Sequence, residues 1–317
     1  MMSTREAYGK TLLELGRENE NIVVLDADLS SSTYTKFFAK EFPERFFNFG
    51  IAEANMMGAA AGFASCGKIV FASTFAIFAT QRAYNQFRQS IAYPGLNVKV
   101  AASHAGISVG EDGTSHHCFE DIASMRVLPS VTVIVPADGV ETREAVKALV
   151  KHYGPAYLRL GRPKIPIIYD DDYGFEGRRF RFEIGKAVSL REGGDVALIA
   201  TGLMVWKALE AAEELEKQGI KAEVIDIHTI KPIDRELIVK IAKKTGAIVT
   251  AEEHNVIGGL GSAVAEVLVE NYPVPMIRIG VNDVWTESGF WKDLLEKYEL
   301  TSRNIVEAAK KVIERKR

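Results

Sequence analysis

Cysteine is nearly absent from this 317-residue chain: Cys66 and Cys118 are the only two. That is too few for a disulfide framework, and the pair lacks the spacing of a zinc site, which suits a reducing cytosol. Long apolar runs are missing as well. Nothing approaches the ~20 residues needed to cross a bilayer, and Met1 to Leu15 holds no secretory apolar segment. Charge of one sign is also scarce. The formal net charge is −3, and basic residues bunch only at Lys310, Lys311, Arg315, Lys316 and Arg317, where they close an amphipathic helix and face its C-terminal dipole favourably. With no basic field for a polyanion, nucleic acid is not an expected partner. The expectation is a soluble, cytoplasmic protein with neither nucleic acid nor membrane among its partners.

What the chain does have is apolar residues, 47% of the total, enough for two medium cores at roughly 100–200 residues per domain. Apolar runs at Ile22–Leu25, Ile69–Phe71, Val98–Val100, Val131–Val135 and Ala156–Leu158 alternate with helical stretches, the pattern of a buried parallel α/β sheet. Between Arg162 and Arg181 the text lapses into prolines, aspartates and glycines, the composition of a linker. A second series follows at Val196–Ala200, Ala222–Ile225, Ala247–Thr250 and Met276–Ile279. The fold class is therefore α/β, with two parallel-sheet domains spanning 1–175 and 185–317. Gly258, Gly259 and Gly261 superficially resemble a dinucleotide turn, but their spacing gives only part of that fingerprint.

One acid stands out. Glu53 sits at the mouth of an apolar helix of small residues, Ala54, Gly58, Ala59, Ala60, Ala61, Gly62 and Ala64, whose backbone another element can approach closely. Desolvation in such surroundings favours the protonated acid, which could share its proton with a ring nitrogen of a cofactor. The bland alternative is a carboxylate that satisfies the helix N-terminus. Three loops follow strand signals, Asp26–Thr33, Ser73–Arg82 and Ser103–His117, and in an open parallel sheet they gather at one edge. The third carries three histidines, two acids and three glycines, a composition suited to a substrate loop. Ordinary loop hydrogen bonding is the alternative for His104, His116 and His117, and a metal at His116, His117, Cys118 and Glu120 is disfavoured because adjacent residues seldom face one ion. Phe75 and Phe78, three apart at the start of an expected helix, suit either core packing or stacking on a flat heterocycle.

Taken together, these segments resemble the C-terminal half of transketolase, a thiamine-diphosphate enzyme. The resemblance covers nearly the whole chain in order and spacing: Ala27-Asp-Leu-Ser30, Gly50-Ile-Ala-Glu-Ala-Asn-Met56, Thr74-Phe75, Gly110-Glu-Asp-Gly113 followed by His116, and Ser124-Met-Arg-Val-Leu-Pro129. Thr114-Ser115 departs from the family's usual proline-threonine, and His117 takes a place commonly held by glutamine. The resemblance implies a pyrimidine-binding domain followed by a transketolase C-terminal domain. It further implies that Glu53 hydrogen-bonds the aminopyrimidine so that the cofactor forms its ylide, with Phe78 stacking on that ring, Phe75 as a neighbouring wall and Asp28 nearby at a subunit interface. Asp112 and His116 would bind donor hydroxyls, His116 being counted with Glu53 as catalytic. Arg5, Ser32, His104 and Arg162 would hold phosphate, with Arg159 a rival to Arg162.

The family's Gly-Asp-Gly segment and the asparagine that hold Mg²⁺ and the diphosphate have no counterpart in this sequence. The resemblance thus implies a separate N-terminal subunit supplying that domain, in a heterotetramer of two copies of each chain, with no metal held by this one. The implied reaction passes a two-carbon glycolaldehyde unit from xylulose 5-phosphate to ribose 5-phosphate or erythrose 4-phosphate in the pentose phosphate pathway. Three alternatives stay open: the beta subunit of a 2-oxoacid dehydrogenase, a 1-deoxyxylulose-5-phosphate synthase-like half, and a non-catalytic assembly subunit. Glu252, Glu253 and His254 are taken as structural or interfacial.

Overall fold

A computed structural model describes residues 1–316. Fourteen strands, in chain order, are β1 Ile22–Asp26, β2 Phe46–Asn48, β3 Ile69–Phe75, β4 Val98–Ser103, β5 Thr132–Ile134, β6 Ala156–Arg159, β7 Gly174–Phe175, β8 Arg178–Arg179, β9 Val188–Arg191, β10 Val196–Ala200, β11 Ala222–Asp226, β12 Thr229–Lys231, β13 Ile248–Asn255 and β14 Met276–Val281. Seven form one sheet in the order β12-β5-β6-β4-β3-β1-β2, and five form another in the order β14-β13-β10-β11-β9. Strands β1, β4, β5 and β6 are buried along their whole length, as mostly apolar strands covered on both faces should be, and the few polar residues in them, Asp26, Lys99 and Arg159 among them, are buried too.

Every apolar run named above is a strand, and each sheet is parallel except at one edge. Strand β12 runs antiparallel to β5 and β9 antiparallel to β11. Strand β12 follows the linker in sequence yet completes the first sheet, so the two α/β units are sewn together by hydrogen bonds. The proline-rich stretch is more than a linker. Tyr169 and Tyr173 are buried, and their hydroxyls donate to Asp226 Oδ2 and Glu141 Oε1, each at 2.7 Å. Glu141 lies in the helix Gly139–Lys151, which Asp138 caps by accepting from Glu141 N–H at 2.8 Å, so the stretch ties that helix to the second sheet.

A second buried tie centres on Arg159. Its guanidinium donates to Asp121 Oδ2 at 2.7 Å, to the Glu253 carbonyl at 2.8 Å and to the Cys118 carbonyl at 3.2 Å. Burial pushes the Asp121 carboxyl up, but Arg159 and His254 outweigh it and hold the group below its usual range. Glu252 accepts from the N–H groups of Leu260 and Gly261 at 2.6 and 2.7 Å. The N-terminus of the helix Leu260–Asn271 is thereby filled by the chain's own carboxylate, and a side chain at Gly259 would collide with Glu252. No dinucleotide phosphate has room there. No helix among the described residues is long and apolar enough to cross a membrane.

Candidate active site

Because β1, β2, β3, β4 and β6 run parallel, the segments leaving their carboxyl ends meet at one edge. Asp28 follows β1, Glu53 follows β2, Phe75 ends β3, and His104 follows β4. The turn after β1 is fixed by Asp26, which is fully buried. Asp26 accepts from Leu29 N–H at 2.6 Å, Thr33 Oγ1 at 2.7 Å and Thr35 Oγ1 at 2.9 Å. Burial pushes its carboxyl up to about 6 despite those donors.

Glu53 is the first residue of the helix Glu53–Ser65 and is 5% exposed. Its side chain makes no capping bond. Instead Oε1 accepts from Arg82 Nη1 at 3.3 Å, so the acid sits in the first helical turn, where the dipole favours it, without capping a backbone N–H. Oε2 has no partner among the described residues. The guanidinium carbon of Arg82 in turn lies 4.1 Å from the centroid of the Phe78 ring. Phe75 and Phe78 do not share a regular helix as expected: Phe75 closes β3, and Phe78 opens a widened helical turn, Phe78–Arg82. Their rings still stack, 5.7 Å apart and 18° from parallel.

From the aromatic pair the contacts run on to the polar loop. His116 meets Phe78 edge-on at 5.4 Å, and His104 stacks on Phe75 at 3.7 Å. His104 has φ +58°, a left-handed conformation that non-glycine residues keep mainly where function or packing demands it. Burial, together with Arg5, Arg162 and His116, pushes its imidazole down to about 2, so the ring is neutral at any working pH. Beyond it, Arg5 Nε donates to the Arg162 carbonyl at 3.1 Å and Nη1 to the Ser32 carbonyl at 2.8 Å. Arg162 donates to Glu111 Oε2 at 2.8 Å and also to the Val109 carbonyl.

The site is thus a track with two ends. A buried carboxylate and a stacked aromatic pair lie at one, two guanidinium groups and a neutral histidine at the other. The first end suits a flat heterocycle that shares a proton, the second an anion.

Comparison with known proteins gives the family of the chain. Residues 1–167 match the transketolase pyrimidine binding domain and residues 185–305 the transketolase C-terminal domain. A Methanocaldococcus jannaschii protein, provisionally named a transketolase C-terminal section, is 50% identical and covers 98% of this chain and 95% of its own length.

The chain belongs to the transketolase family.

A Clostridium 6-deoxy-6-sulfo-D-fructose transketolase subunit is 48% identical over 98% of this chain and 95% of its own. A solved structure described as a split gene transketolase, inactive beta4 tetramer, superposes with TM-score 0.92 at 57% identity over all of both chains. Against full-length rat transketolase the match is 39% identical but spans only 49% of the relative. The expected fold and resemblance are therefore those of the transketolase family, and that family is thiamine-dependent.

Among the transketolase positions read from the sequence, Glu53, Phe78, Phe75, His104 and His116 form one contact series that Arg82 closes, while Arg5 contacts the carbonyls of Arg162 and Ser32 and both arginines act on His104 through their charge. Asp28 stands beside it, its N–H donating to Asn48 Oδ1 at 3.0 Å. Asp112 is exposed on the single turn Gly110–Asp112 and has no hydrogen-bond partner among the described residues. Arg159 is 6% exposed and spent on Asp121 and two carbonyls, so the rival to Arg162 is a buried tie. Arg82 was passed over. Its spacing of four from Phe78 was the available signal, but the widened turn that swings it back onto Glu53 leaves no mark in composition.

Proposed function

We propose that this chain is the C-terminal subunit of a two-chain transketolase, transferring a two-carbon glycolaldehyde unit from a ketose phosphate to an aldose phosphate. The observation that carries this reading is the contact series from Glu53 through Arg82, Phe78 and Phe75 to His104, with the charges of Arg5 and Arg162 acting on His104 from beyond it. It sets a proton-sharing acid and an anion cradle at opposite ends of one track.

Thiamine diphosphate, when bound, supplies the nucleophile that breaks the C2–C3 bond of the donor and carries the two-carbon unit. The chain's own residues fit that group: Glu53 is desolvated, has one free carboxylate oxygen and stands near an aromatic pair. Glu53 holds the proton shared with the aminopyrimidine, and Phe78 and Phe75 wall the ring, with Asp28 beside it at the subunit boundary. Asp112 and His116 bind donor hydroxyls. Arg5 and Arg162 hold the terminal phosphate by charge-assisted bonds, with neutral His104 and Ser32 beside them.

Mg²⁺ and the diphosphate fall to an N-terminal subunit, and we place two copies of each chain in the working assembly. The names of relatives that match end to end, a section and subunits, support the two-chain reading. Two free thiols, one exposed and one buried, suit a cytoplasmic setting. Xylulose 5-phosphate is our first choice of donor, with ribose 5-phosphate or erythrose 4-phosphate as acceptor in the pentose phosphate pathway. Other relatives are named for 6-deoxy-6-sulfofructose and apulose 4-phosphate, so a panel of ketoses bearing a terminal anion is the fitting assay. Transfer from a 2-oxoacid in place of a ketose phosphate would favour the dehydrogenase alternative instead, for which the anion cradle gives no reason.

A further inference from the structure

The loop that carries Asp112 and His116 is held from outside by the second domain. Thr286, 6% exposed, lies in the segment between β14 and the helix Trp291–Lys297. Its hydroxyl is 2.7 Å from His117 Nδ1, and its carbonyl accepts from Thr114 Oγ1. Two residues on, Ser288 Oγ donates to the Glu111 carbonyl at 2.5 Å. His117 closes the arrangement, because its Nε2 is 3.0 Å from the Gly110 carbonyl. A carbonyl only accepts, so Nε2 carries the hydrogen, Nδ1 of the neutral ring accepts, and the Thr286 hydroxyl donates. Burial, the largest influence on His117, holds its imidazole below the usual range and keeps it neutral. Gly113 has φ +74° and only 3.2 Å to Ser288 Cβ for any side chain placed there, so the two segments meet without slack.

We propose that Thr286 is a positioning residue of the C-terminal domain: through His117 and Thr114 it fixes the loop that presents Asp112 and His116 to the sugar. This gives the second domain a part in substrate binding beyond assembly, and it rests on the sugar-binding reading of Asp112 and His116 above. The Thr286–His117 pair spans 169 residues of sequence.

The test uses Thr286→Val, which keeps the shape and the carbonyl but removes the donor, and Thr286→Ser, which restores it. In the assembled two-chain enzyme, Thr286→Val raises the KM for the ketose phosphate donor about tenfold, the loss of one buried hydrogen bond's worth of positioning. Affinity for thiamine diphosphate and the thermal midpoint stay within about twofold and about two degrees, and Thr286→Ser recovers most of the loss. Amide hydrogen exchange of residues 110–117 in the same assembly rises in the valine variant and returns in the serine variant. Unchanged exchange overturns the brace, and raised exchange with an unchanged KM overturns its role in binding. An unaltered assembly that transfers nothing from ketose phosphates is a failure of the proposed reaction, and hydrogen exchange still decides the brace.

Discussion

Arg82 donates to Glu53 Oε1 at 3.3 Å while its guanidinium carbon stands 4.1 Å over the Phe78 ring. One cation therefore touches two of the groups assigned to the aminopyrimidine, Glu53 and Phe78. Since Arg82 is about half exposed, water screens the pair, and it contributes no more than about 1 kcal/mol. Its effect is placement: it turns one carboxylate oxygen away and leaves the other free.

Glu53→Gln keeps an oxygen for Arg82 and nearly the same shape, but it cannot pass a proton. Turnover should fall by about 10²–10⁴, the span of a lost acid-base group, with the melting midpoint and partner association unchanged. Steady-state kinetics beside calorimetry checks this. Full activity contradicts the cofactor assignment.

Arg162→Ala removes a guanidinium from the anion end. The apparent KM for phosphorylated acceptors should rise by about ten- to a hundredfold, the value of a charge-assisted contact, with little change for unphosphorylated ones. Equal effects on both classes would move that arginine out of the cradle.

Arg159→Met tests the other arginine by a different readout. Its removal leaves Asp121 buried and unpaired and frees two carbonyls, so stability should fall by about 3–5 kcal/mol. Denaturant unfolding measures the drop, which Arg162→Ala should not share.

The acid pair between the domains should give the fold a pH signature. Asp226 is pushed by burial up to about 7, and Glu141 beside it is also raised, chiefly by burial. Asp226 Oδ1 has no donor facing it, which places the retained proton between the two acids. In this window the folded chain binds a proton that the unfolded chain has released. The stability it contributes is therefore full below about pH 4 and lost as pH rises through about 7. Asp226→Asn should gain stability relative to the unaltered chain by on the order of 1–3 kcal/mol between those limits, read from melting at several pH values. A difference that does not vary with pH contradicts the shared proton.

The central strands were legible because each carries a short, mostly apolar and β-branched run, as at Val131–Val135. Of the edge strands only β14 was; β2, β9 and β12 were not. Thr229–Lys231 carries no apolar run, and its partner, β5, lies about a hundred residues earlier, so only the folded chain reveals the pairing. Glu53 was legible because a lone acid stood before a run of small residues. Arg82, Thr286 and Ser288 were invisible for a shared reason: each acts through a contact created by a turn or by the second domain, and polar residues in such segments look like ordinary surface. The burial of Tyr169 and Tyr173 was hidden by the prolines and aspartates around them.

The central claim is that this chain completes a transketolase site only with a partner. The most direct measurement is ketol transfer from xylulose 5-phosphate, and from other ketoses with a terminal anion, with thiamine diphosphate and Mg²⁺ present. It is made on the purified chain alone and on the chain mixed with candidate subunits carrying a diphosphate-binding domain. Activity in the mixture and none in either chain alone is the predicted result. Transfer by the chain alone, or a mixture that is silent with sugar phosphates yet decarboxylates a 2-oxoacid, would contradict it.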